Sequence, residues 1–83
     1  MNIETKIERF LVEEILLGDR QTKIDPDQML IEAGILDSLT LLRLITFVED
    51  QFGVMVDDGE VVPDNFQSIR MTSAFIEKKM QGQ

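Results

Sequence analysis

The chain has no cysteine and no histidine among its 83 residues. Those two absences remove disulfide frameworks, thiolate nucleophiles, imidazole acid-base groups and the usual zinc ligands. Most self-contained catalytic sites go with them, so no catalytic residue, no bound metal and no enzyme are expected. The adjacent carboxylates Glu13 and Glu14 read as a solvated helix face rather than an acid/base pair. Basic residues are also scarce, at 8 Lys plus Arg against 16 Asp plus Glu, for a net charge of -8. Between Ile24 and Ile69 the only cation is Arg43, set against ten acids from Asp25 to Asp64. Nucleic acid would be repelled by such a surface, whereas basic patches on partner proteins would be attracted to it; taken alone, the acidity reads equally well as a means of keeping a small protein soluble. Long apolar runs are missing too, and no basic segment leads into an apolar one at the start. A monomeric, soluble, cytoplasmic protein without membrane insertion is therefore expected. The length suits one domain spanning 1–83, without internal repeats or low-complexity tracts.

The remaining pattern is helical. From Ile3 to Leu17 the residues Ile3, Ile7, Phe10, Leu11 and Leu17 recur near helical spacing, which predicts an amphipathic helix closed by Gly18. The connection from Asp19 to Asp37 is long enough to be functional or disordered, and its apolar anchors Met29, Leu30, Ile31, Ile35 and Leu36 predict order. Asp25-Pro26 suits a short turn, and Gly34 a bend. A second helix is expected from Ser38 to Phe52, with Leu41, Leu44, Ile45, Val48 and Phe52 inward, Phe47 at the margin and Gly53 at its end. That orientation sends Leu39, Leu42 and Thr46 to an outer face. Pro63 to Phe66 predicts a brief helical turn, and Ser68 caps a last helix from Ile69 to about Met80 with Ile69, Thr72, Phe75, Ile76 and Met80 on its buried side. Lys78 and Lys79 in its final turn suit the helix dipole. The fold class is all-α: a four-helix bundle of three main helices and one short one, with a long first loop.

The chemically informative stretch is Gly34-Ile35-Leu36-Asp37-Ser38-Leu39, which places a serine at a helix start, behind a long loop and ahead of an outward leucine. Backbone N–H groups and the helix dipole at that position would favour a phosphate on Ser38. Asp37-Ser38 alone reads more readily as a plain helix cap, and it is the surrounding pattern that reverses this.

With the helix ending Phe47-Val48-Glu49-Asp50-Gln51-Phe52-Gly53-Val54, and Pro63-Asp64-Asn65-Phe66-Gln67-Ser68-Ile69 beyond it, the chain resembles the phosphopantetheine-binding acyl and peptidyl carrier family over nearly its whole length. The resemblance implies that a phosphopantetheinyl transferase, using coenzyme A and magnesium, attaches 4'-phosphopantetheine to the Ser38 hydroxyl. The thiol of that arm would then hold an acyl or aminoacyl unit as a thioester, so the missing cysteine is no obstacle. Further partners implied are an acyl- or aminoacyl-loading enzyme and downstream acyl-using enzymes. Asp37 matches the motif's acid, with a role in partner contact or in orienting the metal-phosphate assembly. Leu39 matches the recognition leucine, and Leu42, Thr46, Glu49 and Asp50 match the partner-facing surface.

Thr40 and Arg43 depart from the fatty-acid-synthesis type, where acids are usual. Arg43 reads either as a specificity element that repels the wrong partners or as half of an exposed ion pair of little energetic weight. Paired glycines before Ser38, common in modular peptidyl carriers, are absent. The expectation is a discrete carrier of a specialised pathway, such as polyketide or nonribosomal peptide synthesis, with its core filled and a short or polar cargo held outside. The alternatives are a fatty-acid-synthesis carrier and, from another class, an acidic helical adaptor that docks through Leu39 and Leu42 without an arm. Asp57, Asp58, Glu60 and Asp64 do not follow the ligand order of a calcium-binding EF-hand loop.

Overall fold

The computed structural model describes residues 2–19 and 21–82, so residue 20 of the long connection lies outside the described residues. Helix α1 (Ile3–Phe10) runs directly into a π-helical turn (Leu11–Ile15). After the long connection come helix α2 (Ser38–Phe52), a 3-10 turn (Asp58–Glu60), the short helix α3 (Pro63–Phe66) and helix α4 (Ile69–Gln81). The expected all-α arrangement of three main helices and a short one is what forms, and no strand occurs among the described residues.

Asn2 starts α1 by accepting the Thr5 N–H on its side-chain oxygen at 2.7 Å. Ile7, Leu11 and Val12 face the core. The π turn, closed by the Leu16 N–H on the Leu11 carbonyl at 2.9 Å, has a wider repeat than the regular helix. Side chains beyond it are rotated off the α-helical stripe. Leu17, expected inward, is instead 81% exposed. It also takes the left-handed conformation (φ 55°) that the sequence assigned to Gly18. Gly18 serves another need, since a Cβ there would lie 2.7 Å from Thr22 Oγ1.

The connection is pinned at several points. Glu8 accepts the Ile24 N–H at 2.9 Å, Asp25 closes a turn by accepting the Asp27 N–H, and Leu30 donates to the Gln67 carbonyl at 2.7 Å. Gly34 bends as expected (φ 79°), which lets the N–H groups of Ile35 and Leu36 share the Leu30 carbonyl. Leu30 and Leu36 are buried, but Met29, expected as an anchor, points outward.

In α2 the buried residues are Leu44, Ile45 and Val48, while Leu41, Phe47 and Phe52 pack half-buried at the margin. Gly53 ends the helix in the left-handed region (φ 67°). Three pairings show that α1 and α2 run antiparallel: Glu14 with Arg43, Phe10 stacked on Phe47, and Lys6 over Phe52. The end of α1 therefore lies at the same end of the molecule as Ser38. Phe66 of α3 is fully buried against Phe75 of α4, ring centroids 5.4 Å apart. Ile69, Thr72 and Ile76 complete the core from α4. Met80, expected on that buried side, is exposed; Lys79 turns inward instead, drawn by Glu60 Oε1 at 2.8 Å and lying over the Phe75 ring.

Candidate functional site

The site begins with how α2 starts. Asp37 is its N-cap, extended in backbone (φ -121°, ψ -168°), and its Oδ1 accepts the N–H groups of Leu39 and Thr40 at 3.1 and 2.9 Å. Thr40 returns the bond, its Oγ1 accepting the Asp37 N–H at 2.8 Å. These bonds, led by those of Thr40, hold the Asp37 carboxyl below its ordinary value of 3.8. With Asp37 doing the capping, Ser38 occupies the first helical position with its side chain exposed. Its Oγ joins no hydrogen bond among the described residues.

The other two serines are unlike it. Ser68 is itself an N-cap, its Oγ accepting the Met71 N–H at 3.1 Å, and is 3% exposed; Ser73 is buried in α4. Both are shielded by the fold that Ser38 stands outside.

A phosphate on Ser38 fits the space and the helix dipole, but fewer donors greet it than the sequence suggests. The Leu39 and Thr40 N–H groups already point to Asp37, which leaves the Ser38 N–H as the free donor of this first turn. The one cation of α2, Arg43, lies 3.7 Å from Glu14 in the π-helical turn that continues α1. An attached group would thus be solvated rather than gripped, which suits a tether that has to swing. Asp37 uses Oδ1 for every cap bond, so Oδ2 is the oxygen available to a metal-phosphate assembly or to a partner.

Leu39 and Leu42 are 68% and 59% exposed, as the outward face requires. Together with Arg43, Thr46 and Asp50 they border one shallow open groove that is also lined by Phe10 and Phe47. Thr46 donates its hydroxyl to the Leu42 carbonyl at 3.1 Å, so it offers the groove its methyl group more than a free donor. Glu49 stands apart from these residues. Half-buried, its carboxylate accepts the Val56 N–H at 2.9 Å and ties the end of α2 to the segment that follows.

The aromatic contribution to this surface escaped the sequence reading. Phe10 and Phe47, apolar residues read as core or its margin, stack with centroids 4.4 Å apart at the α1–α2 seam. Their alternation with outward leucines at helical spacing was the available signal. Among the described residues, no group of three or more acidic side chains converges to hold a metal ion, and no helix is long and apolar enough to cross a membrane.

Comparison with known proteins places this geometry. The family model described as "Phosphopantetheine attachment site" matches residues 11–76. The chain is 30% identical over 79 residues to an acyl carrier protein of Solidesulfovibrio magneticus, covering 95% of this chain and 96% of that protein. It is 31% identical over 77 residues to an acyl carrier protein of Buchnera aphidicola, covering 93% and 94%. Among solved structures, a chain in a crystal structure described as an FAD-dependent dehydrogenase superposes with a TM-score of 0.75 at 30% identity. That match covers 84% of this chain and 97% of the other, so the two chains are of similar length.

Proposed function

Since the chain belongs to the phosphopantetheine-binding acyl carrier family, we infer that Ser38 is the residue that bears its 4'-phosphopantetheine. The observation that carries this is the contrast among the three serines: Ser38 alone combines exposure, an unengaged hydroxyl and a rigidly capped helix start. As a carrier the protein is acted upon by enzymes rather than being one. When bound, the prosthetic group supplies a terminal thiol that holds an acyl unit as a thioester. The chain's own residues orient the attachment point: Asp37 and Thr40 fix the backbone of Ser38, and Leu39 and Leu42 present apolar surface beside Arg43 to the enzymes that act on the arm.

The finer reading is a carrier for a specialised pathway that bears a short acyl or aminoacyl unit. Arg43 and Thr40, in place of acids, support this by altering the charge pattern on the partner face. Thr40 also has a structural reason, because it closes the helix cap without a charge. A core filled by Leu30, Leu36, Leu44, Phe66, Ile69 and Ile76, all essentially inaccessible, favours a cargo kept outside. The solved-structure likeness favours a flavin-dependent dehydrogenase among the downstream enzymes, acting on the tethered unit.

The test is incubation with coenzyme A, magnesium and a broad-specificity phosphopantetheinyl transferase, followed by intact mass measurement. Wild-type protein gains the arm and Ser38→Ala does not; an equal gain in Ser38→Ala sinks the assignment. Carriers then loaded with short acyl or aminoacyl units are offered to an FAD-dependent dehydrogenase. Loss of the oxidised flavin absorbance supports that partner class, and persistence of the absorbance with every unit removes it.

A further inference from the structure

Leu17 is anomalous in two independent ways. Its backbone sits in the left-handed region, which glycine enters freely and a leucine enters at a cost, yet the glycine of this turn is the next residue, whose φ is not left-handed. Its side chain is 81% exposed, more than any other large apolar residue described, so core packing does not explain it either. Neither turn geometry nor burial calls for a leucine at this position.

Its place in the fold gives the leucine a neighbour. The antiparallel pairing of Glu14 with Arg43 and of Phe10 with Phe47 sets the register between α1 and α2. Ser38 lies five residues beyond Arg43 toward that end, and Leu17 three beyond Glu14 in the same direction. The helical stretch ends at Ile15, so with a rise of about 1.5 Å per residue and helices about 8–10 Å apart Ile15 stands roughly 10–12 Å from Ser38, and Leu17, two residues further on, within about 20 Å of it. Leu17, Leu39 and Leu42 are therefore three exposed apolar side chains toward one end of the molecule, the end that also carries the Arg43–Glu14 ion pair and the acids Glu13 and Asp37.

We propose that Leu17 is a docking anchor for the phosphopantetheinyl transferase, which seats it with Leu39 and Leu42 in apolar pockets rimmed by basic side chains. The proposal rests on Ser38 being the modified residue. Loading and downstream enzymes act at the far end of a flexible arm. The transferase alone must bring its reacting groups to Ser38 Oγ itself, so its footprint is centred there. A specific interface covers about 800 Å² on each partner, a patch roughly 15 Å in radius, which reaches the end of the helical stretch at Ile15 and brings the exposed turn bearing Leu17 to its edge. The acidic surroundings select a basic rim, and the leucine at a strained position is then retained for what it contacts rather than for what it stabilises.

The experiment compares the full-length protein with Leu17→Gly, Leu17→Met and Ser38→Ala. Steady-state arm transfer by a broad-specificity transferase is followed by intact mass, and Tm is measured alongside. Leu17→Gly relieves the backbone while deleting the contact, so it is expected to keep or raise Tm, to raise KM by about tenfold and to leave kcat nearly unchanged. Leu17→Met restores the wild-type KM. A wild-type KM for Leu17→Gly overturns the proposal, as does a raised KM accompanied by a lowered Tm, which marks a role in folding. No mass gain in the wild-type protein, or an equal gain in Ser38→Ala, overturns the Ser38 reading first and this proposal with it.

Discussion

Thr40 and Asp37 cap α2 reciprocally: Thr40 Oγ1 accepts the Asp37 N–H at 2.8 Å while Asp37 Oδ1 accepts the Thr40 N–H at 2.9 Å. The backbone of Ser38 is held between them and its hydroxyl is asked for nothing. The more usual partner for an N-cap in this reciprocal pattern is Glu or Gln. A threonine makes the same return bond without adding negative charge beside Ser38, the proposed attachment point.

The cap has a pH dependence with a definite sign. The Thr40 and Leu39 bonds favour the ionised Asp37, so its folded pKa lies below the ordinary 3.8. The stabilisation is complete above 3.8 and is lost as pH falls through the lower folded value. NMR titration of the Asp37 carboxyl should place its midpoint below 3.8, with faster amide exchange at Leu39 and Thr40 only under still more acid conditions. Thr40→Val should move that midpoint back up toward 3.8. An Asp37 that titrates at its ordinary value contradicts the account.

Helix α2 was readable from the sequence to both ends, because period, N-cap and terminal glycine all agree there. The end of α1 was not. A π turn leaves no mark on apolar periodicity until side chains are seen to miss the core, which is why Leu17 and the role of Gly18 were misplaced. The exposed place of Ser38 at the start of α2 was legible from its position before outward leucines. Glu49 was assigned with Asp50 because both match the family's partner-facing surface, yet neighbours on a helix point about 100° apart, and only the fold reveals that one meets the Val56 N–H.

That difference between Glu49 and Asp50 predicts separable effects. Glu49→Ala leaves a half-buried backbone N–H without its acceptor and should cost about 1–2 kcal/mol in urea unfolding. Asp50→Lys should alter stability by no more than about 0.5 kcal/mol, yet slow arm transfer at low salt, with the deficit shrinking as ionic strength rises. If both variants lose stability equally, Asp50 has a structural role that its exposure does not suggest.

Gly18 predicts a steric effect independent of φ. A Cβ added there would meet Thr22 Oγ1 at 2.7 Å and Thr22 Cβ at 3.0 Å, so rotating the threonine cannot clear the contact. Gly18→Ala should destabilise by about 1–3 kcal/mol, the usual range for overpacking. Adding Thr22→Gly, which removes the obstructing atoms, should make the effect of Gly18→Ala much smaller in that background. Equal effects in both backgrounds mean that Thr22 is not the obstacle.

The Phe10–Phe47 stack joins stability to recognition. Its rings lie 4.4 Å apart and only 21° from parallel, at the seam where α1 and α2 meet and along the groove bordered by Leu39 and Leu42. Half-buried aromatics contribute less than core ones, so Phe10→Ala or Phe47→Ala should each cost about 1–3 kcal/mol. The double mutant should lose less than the sum, with a coupling of about 0.5–1.5 kcal/mol in urea unfolding. Phe47→Leu separates the two roles: it keeps apolar bulk at the seam but removes the flat ring, so it should retain most of the stability and abolish the coupling to Phe10. If Phe47→Leu also leaves arm transfer at the wild-type rate, the groove needs only apolar surface from this position. A slower rate at unchanged Tm means that a partner reads the ring itself.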